Sequence, residues 1–199
     1  MRQLRSGQWN TAVTKQSPIN TLQEFGIDTY TTLDVLDNAL QHHGARFYNH
    51  RHHASHAAAG YYTSPFKDAA VLVVDSIGEF ETLTIWHGHD TELKRKFSQN
   101  YPHSVGLWYS AMTQRIGLKP NEDEYILMGW AAVGDPNKYK QRIFDDFFHP
   151  LSETHPTIRF KQNLHRGCLK WAPELNTVQD YADIAAGTQA VYEMIFDHL

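Results

Sequence analysis

Six apolar residues in a row, Ala69, Ala70, Val71, Leu72, Val73 and Val74, run into Asp75. A continuous stretch of that kind predicts a β-strand over 69–75 covered on both faces. After a turn at 76–79, the segment Glu81, Thr82, Leu83, Thr84, Ile85, Trp86, His87 alternates polar and apolar, as a half-buried strand does. Residues 93–97 alternate more weakly, and short links between the three predict an antiparallel meander. The period then changes. Leu107, Trp108, Ala111, Met112 and Ile116 recur at helical spacing over 105–116. A second helix is predicted over 121–132, stopped by Gly134 and Pro136, and a third over 137–148 with Tyr139, Ile143, Phe144 and Phe147 in phase. Residues 157–161 predict a short strand. The last helix opens at Thr177 and Asp180, a capping box, and carries the stripe Tyr181, Ile184, Thr188, Val191, Ile195, Leu199. Such a face either packs on its own core or awaits a partner. Upstream, 31–43 predicts a helix ended by Gly44, 46–49 a short strand, and 53–62 an alanine-rich helix that stops before Ser64 and Pro65. Residues 1–30 predict no element.

Candidate chemistry enters with histidine. Of 13 histidines in 199 residues, six fall between His42 and His56. His52 and His56 stand four apart on a predicted helix, so they share a face and can share one ion. His53 points about 100° away and is expected to pack or face solvent rather than bind metal. His42, His43 and His50 have no helical phase with the pair. Asp75, at the end of the apolar strand, supplies a carboxylate, and imidazole with carboxylate suits a divalent transition metal such as iron, zinc or manganese. The alternative is a solvated polar cluster.

Composition narrows the classes. A chain of 199 residues with 41% hydrophobic residues can bury one sizeable core. A formal charge of −4 argues against a general polyanion binder. The basic triplet Lys94, Arg95, Lys96 reads as a solvated face. One cysteine, Cys168, excludes an internal disulfide and reads as structural. No run approaches the ~20 apolar residues of a membrane span, and the polar first 16 residues do not read as a signal peptide. A soluble cytoplasmic protein is the expectation.

Five segments in order carry a specific resemblance. Residues 52–66, with His52, His56, Pro65 and Phe66, resemble the histidine motif of the nodulation/cephamycin-type O-carbamoyltransferases. Val74, Asp75, Gly78 and Glu79 resemble the Asp-Gly-x-Gly-Glu motif that follows there. Pro102, His103, Ser104, Gly106 and Tyr109 resemble its Pro-His-Ser-x-Gly-x-x-Tyr segment. Residues 124–134, from Glu124 through Met128 and Gly129 to Gly134, resemble its Glu-Tyr-Lys-x-Met-Gly stretch. Residues 183–189 resemble the helix before its glycine-rich turn.

The resemblance implies an α/β fold: part of an actin-like, sugar-kinase-like (ribonuclease H-like) domain, a mixed sheet with flanking helices, related to the tRNA threonylcarbamoyl transferases. It implies a metal, usually iron, and carbamoyl-adenylate made from carbamoyl phosphate and ATP, whose carbamoyl group passes to the hydroxyl of a small-molecule acceptor. His52, His56 and Asp75 fall on metal ligands. Ser104, Gly106 and Glu124 fall near the nucleotide or carbamoyl group, and Glu79 is a candidate base. Departures are definite. Ser76 stands for a glycine, Ile126 for a lysine and Val133 for a tyrosine. Residues 1–45 match poorly, and 46–199 read as a partial transferase domain, truncated before the second lobe that carries a fourth ligand. The expectation is a fragment or split subunit needing that lobe or a partner chain, with neither membrane nor nucleic acid as partner. The alternatives are a tRNA threonylcarbamoyl transferase-like protein and a non-catalytic metal-binding or interaction fragment.

Overall fold

The computed structural model describes residues 29–32 and 46–199. The chain divides into two compact units, Met1–Ser55 and His56–Leu199, the division falling inside a helix. In the first, β1 (Thr29–Thr32) and β2 (Arg46–Asn49) pair in parallel, Thr29 opposite Arg46 and Thr32 opposite Asn49. β2 is the strand the sequence predicts. β1 takes Thr31 and Thr32 from the predicted helix over 31–43, because Thr29, Tyr30, Thr31 and Thr32 are all strand-forming residues. The rest of that predicted helix lies outside the described residues.

Helix α1 (His52–Tyr62) leads into an antiparallel meander of β3 (Asp68–Gly78), β4 (Glu81–His89) and β5 (Glu92–Asn100). Two expectations about β3 are corrected. Its apolar run is not covered on both faces: Asp68, Ala70 and Leu72 are exposed while Val73 is buried. Alternation here comes from one covered face, which a run of apolar residues cannot reveal. Nor does β3 turn at 76–79. It continues to Gly78, and the tight turn is left to Glu79 and Phe80. Val74 pairs with Leu83 and Gly78 with Glu81, so residues 75–77 face the single residue Thr82. The ladder therefore bulges at Asp75.

Helices meet this sheet where side chains are missing. Tyr61 of α1 is 3% exposed, and its ring lies so close to Gly88 of β4 that no Cβ would fit there. The Tyr61 hydroxyl donates to the carbonyls of Lys67 (2.8 Å) and Asp90 (3.2 Å), tying the helix to the outer ends of β3 and β4. Helix α2 (Val105–Arg115) approaches the other end of β3. Its N-cap Ser104 accepts the Leu107 N–H (3.1 Å) and donates to the Ser76 carbonyl (2.7 Å). A Cβ on Gly106 would come within 2.9 Å of the Ser76 backbone.

The remaining helices are α3 (Glu124–Ala131), α4 (Pro136–Phe147) and α5 (Val178–His198). They close a core with α2 in which Trp108, Met112, Leu127, Ile143, Phe147, Ile184 and Ile195 are fully buried. The α5 stripe packs on this core: Ile184, Thr188, Val191 and Ile195 are buried and Leu199 lies against it. Its capping box is present, Thr177 accepting from the Asp180 N–H and Asp180 from the Thr177 N–H. The predicted strand at 157–161 reduces to one bridge, Phe148 to Phe160. Buried Arg115 donates to the carbonyls of Trp171, Ala172 and Leu175, satisfying a loop that has no ladder of its own. Cys168 is buried, and burial pushes its thiol up to about 12, which removes thiolate reactivity at neutral pH. Among the described residues no helix is long and apolar enough to cross a membrane.

Two outcomes follow from this packing. Gly106→Ala forces a Cβ onto the Ser76 backbone and is expected to destabilise the chain by about 1–3 kcal/mol in urea unfolding. His103 accepts the Phe160 N–H at Nδ1 (3.1 Å), and burial, with Arg159 and His149 nearby, lowers its pKa from 6.5. The unfolded chain therefore binds that proton more readily, so stability falls as pH drops below about 6.5. His103→Asn keeps an acceptor near Nδ1 and removes the titration, so its unfolding free energy should vary less between about pH 7 and about pH 5.

Candidate metal centre and cavity

One uninterrupted helix carries both histidines. His52 opens α1 and His56 follows one turn later on the same face. Asp75 sits in the β3 bulge, where its Oδ1 accepts the Ser76 N–H (2.6 Å) and its Oδ2 lies 3.8 Å from His56 Nε2. With His52 one turn before His56 on the same helix, His52, His56 and Asp75 make up a candidate donor set. His53, by contrast, is fully buried and outside the cluster. The His56 and Asp75 side chains remain 57% and 28% exposed, so an ion held here would keep positions open to a substrate. Two imidazoles and one carboxylate with open positions are a donor set suited to ferrous iron and compatible with zinc or manganese. The residues fit a metal.

One residue beyond Asp75, Ser76 lines a cavity of about 560 Å³, within the range of small-molecule sites. Gly106 and Glu124 line it too, with Tyr109, Tyr125, Met128 and Tyr192 as its apolar and aromatic walls. Glu124 is fixed at the start of α3: its Oε1 accepts from the Ser110 hydroxyl (2.5 Å) and the Asn121 N–H (2.6 Å). Tyr109 donates to Gln189 Oε1 (2.8 Å), and burial raises its pKa, so it stays a neutral donor. Among the described residues, no lining side chain is cationic.

The other sequence candidates sit differently. Ser104 is 2% exposed, engaged as a helix cap, and does not line the cavity. Glu79 is exposed on the turn after β3 with φ 63°, a backbone region that non-glycine residues seldom occupy. Tyr109 and Gln189, which fall within the resembling segments without being assigned to a site, line the cavity together with Tyr192, which the sequence reading did not mention. Tyr192 looks like an ordinary helix position, and only its convergence with the others marks it.

Residues 28–191 match the family described as carbamoyltransferase N-terminus. The match begins inside the segment that the sequence motifs left aside. An uncharacterised protein of Synechocystis is 36% identical over 159 residues, covering 72% of this chain and 26% of the relative. Nodulation protein NolNO of Sinorhizobium fredii is 28% identical over 151 residues (74% and 22%), and nodulation protein NolO of Bradyrhizobium diazoefficiens 27% over 150 residues (74% and 27%). The chain spans about a quarter of the length of these relatives.

Proposed function

Because this chain belongs to the carbamoyltransferase N-terminus family, we propose that it forms the metal-holding part of an enzyme that moves a carbamoyl group from carbamoyl-adenylate to an acceptor hydroxyl. The observation that carries the reading is His56 beside Asp75 at the bulged end of β3, with His52 one turn earlier on the same helix. These three residues would hold a divalent metal, with iron the first choice. Such an ion, when bound, supplies Lewis acidity at the carbamoyl oxygen.

The chain's own groups supply position. Asp75 is oriented by the Ser76 N–H, so one carboxylate oxygen is fixed and the other is left toward His56. Gly106 keeps the cavity mouth free of a side chain, and Tyr125 and Tyr192 offer faces on which an adenine ring can stack. Ser104 acts by holding the first turn of α2 rather than by touching the nucleotide. Glu79 is assigned as the carboxylate that takes the acceptor proton. Its unusual φ, immediately after the ligand-bearing strand, supports that choice. In the transfer, the acceptor oxygen bonds to the carbamoyl carbon, the bond from that carbon to the phosphate oxygen breaks, and adenosine monophosphate leaves.

The reading extends to the fold. The antiparallel meander with helices packed on it supports part of an actin-like lobe. Activation of carbamoyl phosphate by ATP, and the rest of the nucleotide cleft, are assigned to a second lobe or partner chain, consistent with the quarter-length match.

Two measurements test this. Elemental analysis after ferrous reconstitution should find one equivalent fewer in the His52→Ala/His56→Ala variant than in the wild type, with the unfolding transition retained. Calorimetric titration with adenosine monophosphate should show binding that Tyr125→Ala weakens about tenfold, the scale expected for loss of one stacking face. A wild-type chain that takes up no metal at His52 and His56 and no nucleotide would sink the proposal in favour of a non-catalytic scaffold.

A further inference from the structure

The opposite end of the same hairpin carries a second constellation. His87 and His89 stand two apart near the end of β4, so their rings project from the same face of the strand. Asp68, the first residue of β3, lies directly opposite His89 in the antiparallel register. Its carboxylate sits between the two rings, Oδ1 3.3 Å from His87 Nε2 and Oδ2 2.8 Å from His89 Nδ1. One donor atom from each residue lies within 4.8 Å of the others.

We propose that Asp68, His87 and His89 form a second transition-metal site, with zinc as the ion that fits its donors best. Two imidazoles and a carboxylate are a donor set that zinc takes with a water in fourth place. Donors bound at the usual ~2.0–2.2 Å from one tetrahedral ion are about 3.4 Å apart; the His87–Asp68 separation of 3.3 Å is close to that, and the 2.8 Å His89–Asp68 contact is a hydrogen bond that the ion would replace. The side chains are 64%, 42% and 61% exposed for Asp68, His87 and His89, so an ion can enter and a water can complete the shell.

The backbone beneath the site is already fixed. The Asp90 N–H donates to the Lys67 carbonyl (2.7 Å), and the Tyr61 hydroxyl bonds the carbonyls of both Lys67 and Asp90. The residues flanking Asp68 and His89 are thus clamped before any ion arrives, which reduces the ordering cost of binding. Asp68 and Asp75 are seven residues apart along β3, roughly 20 Å at the rise of a strand. The two clusters therefore cannot share an ion. Bound there, zinc would link the first residue of β3 to the last of β4 and secure the open end of the hairpin.

The test is zinc titration of the full chain carrying His52→Ala/His56→Ala, which separates this site from the other. One zinc equivalent should bind, and adding His87→Ala/His89→Ala should remove it. Asp68→Asn, which keeps the shape of the side chain, should weaken binding without altering the metal-free unfolding transition. Zinc should raise the unfolding midpoint of the starting protein, and that rise should vanish in the His87/His89 variant. Absence of zinc uptake in the first background overturns the proposal. Uptake indifferent to His87, His89 and Asp68 does so equally.

Discussion

The site depends on how closely two helices can come down onto one hairpin. Backbone and rings meet where a Cβ would intervene: the Tyr61 ring rests on Gly88, and Gly106 rests on the backbone of Ser76. The first contact seats the last turn of α1 on β4. The second drives the start of α2 against the far end of β3, where the Ser104 hydroxyl joins the two elements. Close packing of this kind is unforgiving, because interiors have no slack to absorb an added methyl group.

The bulge in β3 is the complementary device. A regular ladder would alternate Asp75 and its neighbours strictly between the two faces, each paired with one residue of β4. Three residues opposite Thr82 break that rule. Asp75 can then turn toward His56, while Ser76 offers its backbone to Gly106 and its side chain to the cavity. Bulges re-aim side chains in this way and are common beside functional sites. One local irregularity thus serves both the metal cluster and the cavity.

What the sequence revealed, and what it hid, follows from the range over which each signal acts. His52 and His56 were legible because helical spacing is local, and Asp75 because it ends an unbroken apolar run. The capping box at Thr177 and Asp180 was legible for the same reason. Register is not local. Whether Asp68 faces His89 depends on where the β3–β4 turn falls, and the polar look of Ser76 and Gly78 placed that turn too early. With the strand ended at His87, the alternating pair His87 and His89 went unseen. The cavity was hidden more deeply: Glu124 and Gly106 were candidates one by one, but Ser76, Tyr109, Glu124 and Gln189 come from four separate elements whose convergence no local signal shows. Burial of the α5 stripe was likewise undecidable until the helices opposite it were placed.

Charge sets the division of labour on the proposed reading. Among the described residues the cavity is lined by aromatic faces, amide and hydroxyl groups and one carboxylate, but by no cation. A nucleoside suits such walls. A phosphate does not, because Glu124 would repel it and burial would magnify the repulsion. On that reading a countercharge would come from beside the cavity, and the His52, His56 and Asp75 cluster, whose Asp75 adjoins the lining residue Ser76, offers one of the candidate donor sets among the described residues. An ion there carries more positive charge than the one carboxylate of the set removes, since the imidazoles are neutral ligands. On the proposed reading the cluster and the cavity would therefore act together: the aromatic walls would take the uncharged part of an adenylate, and an ion at His52, His56 and Asp75 would answer its charge.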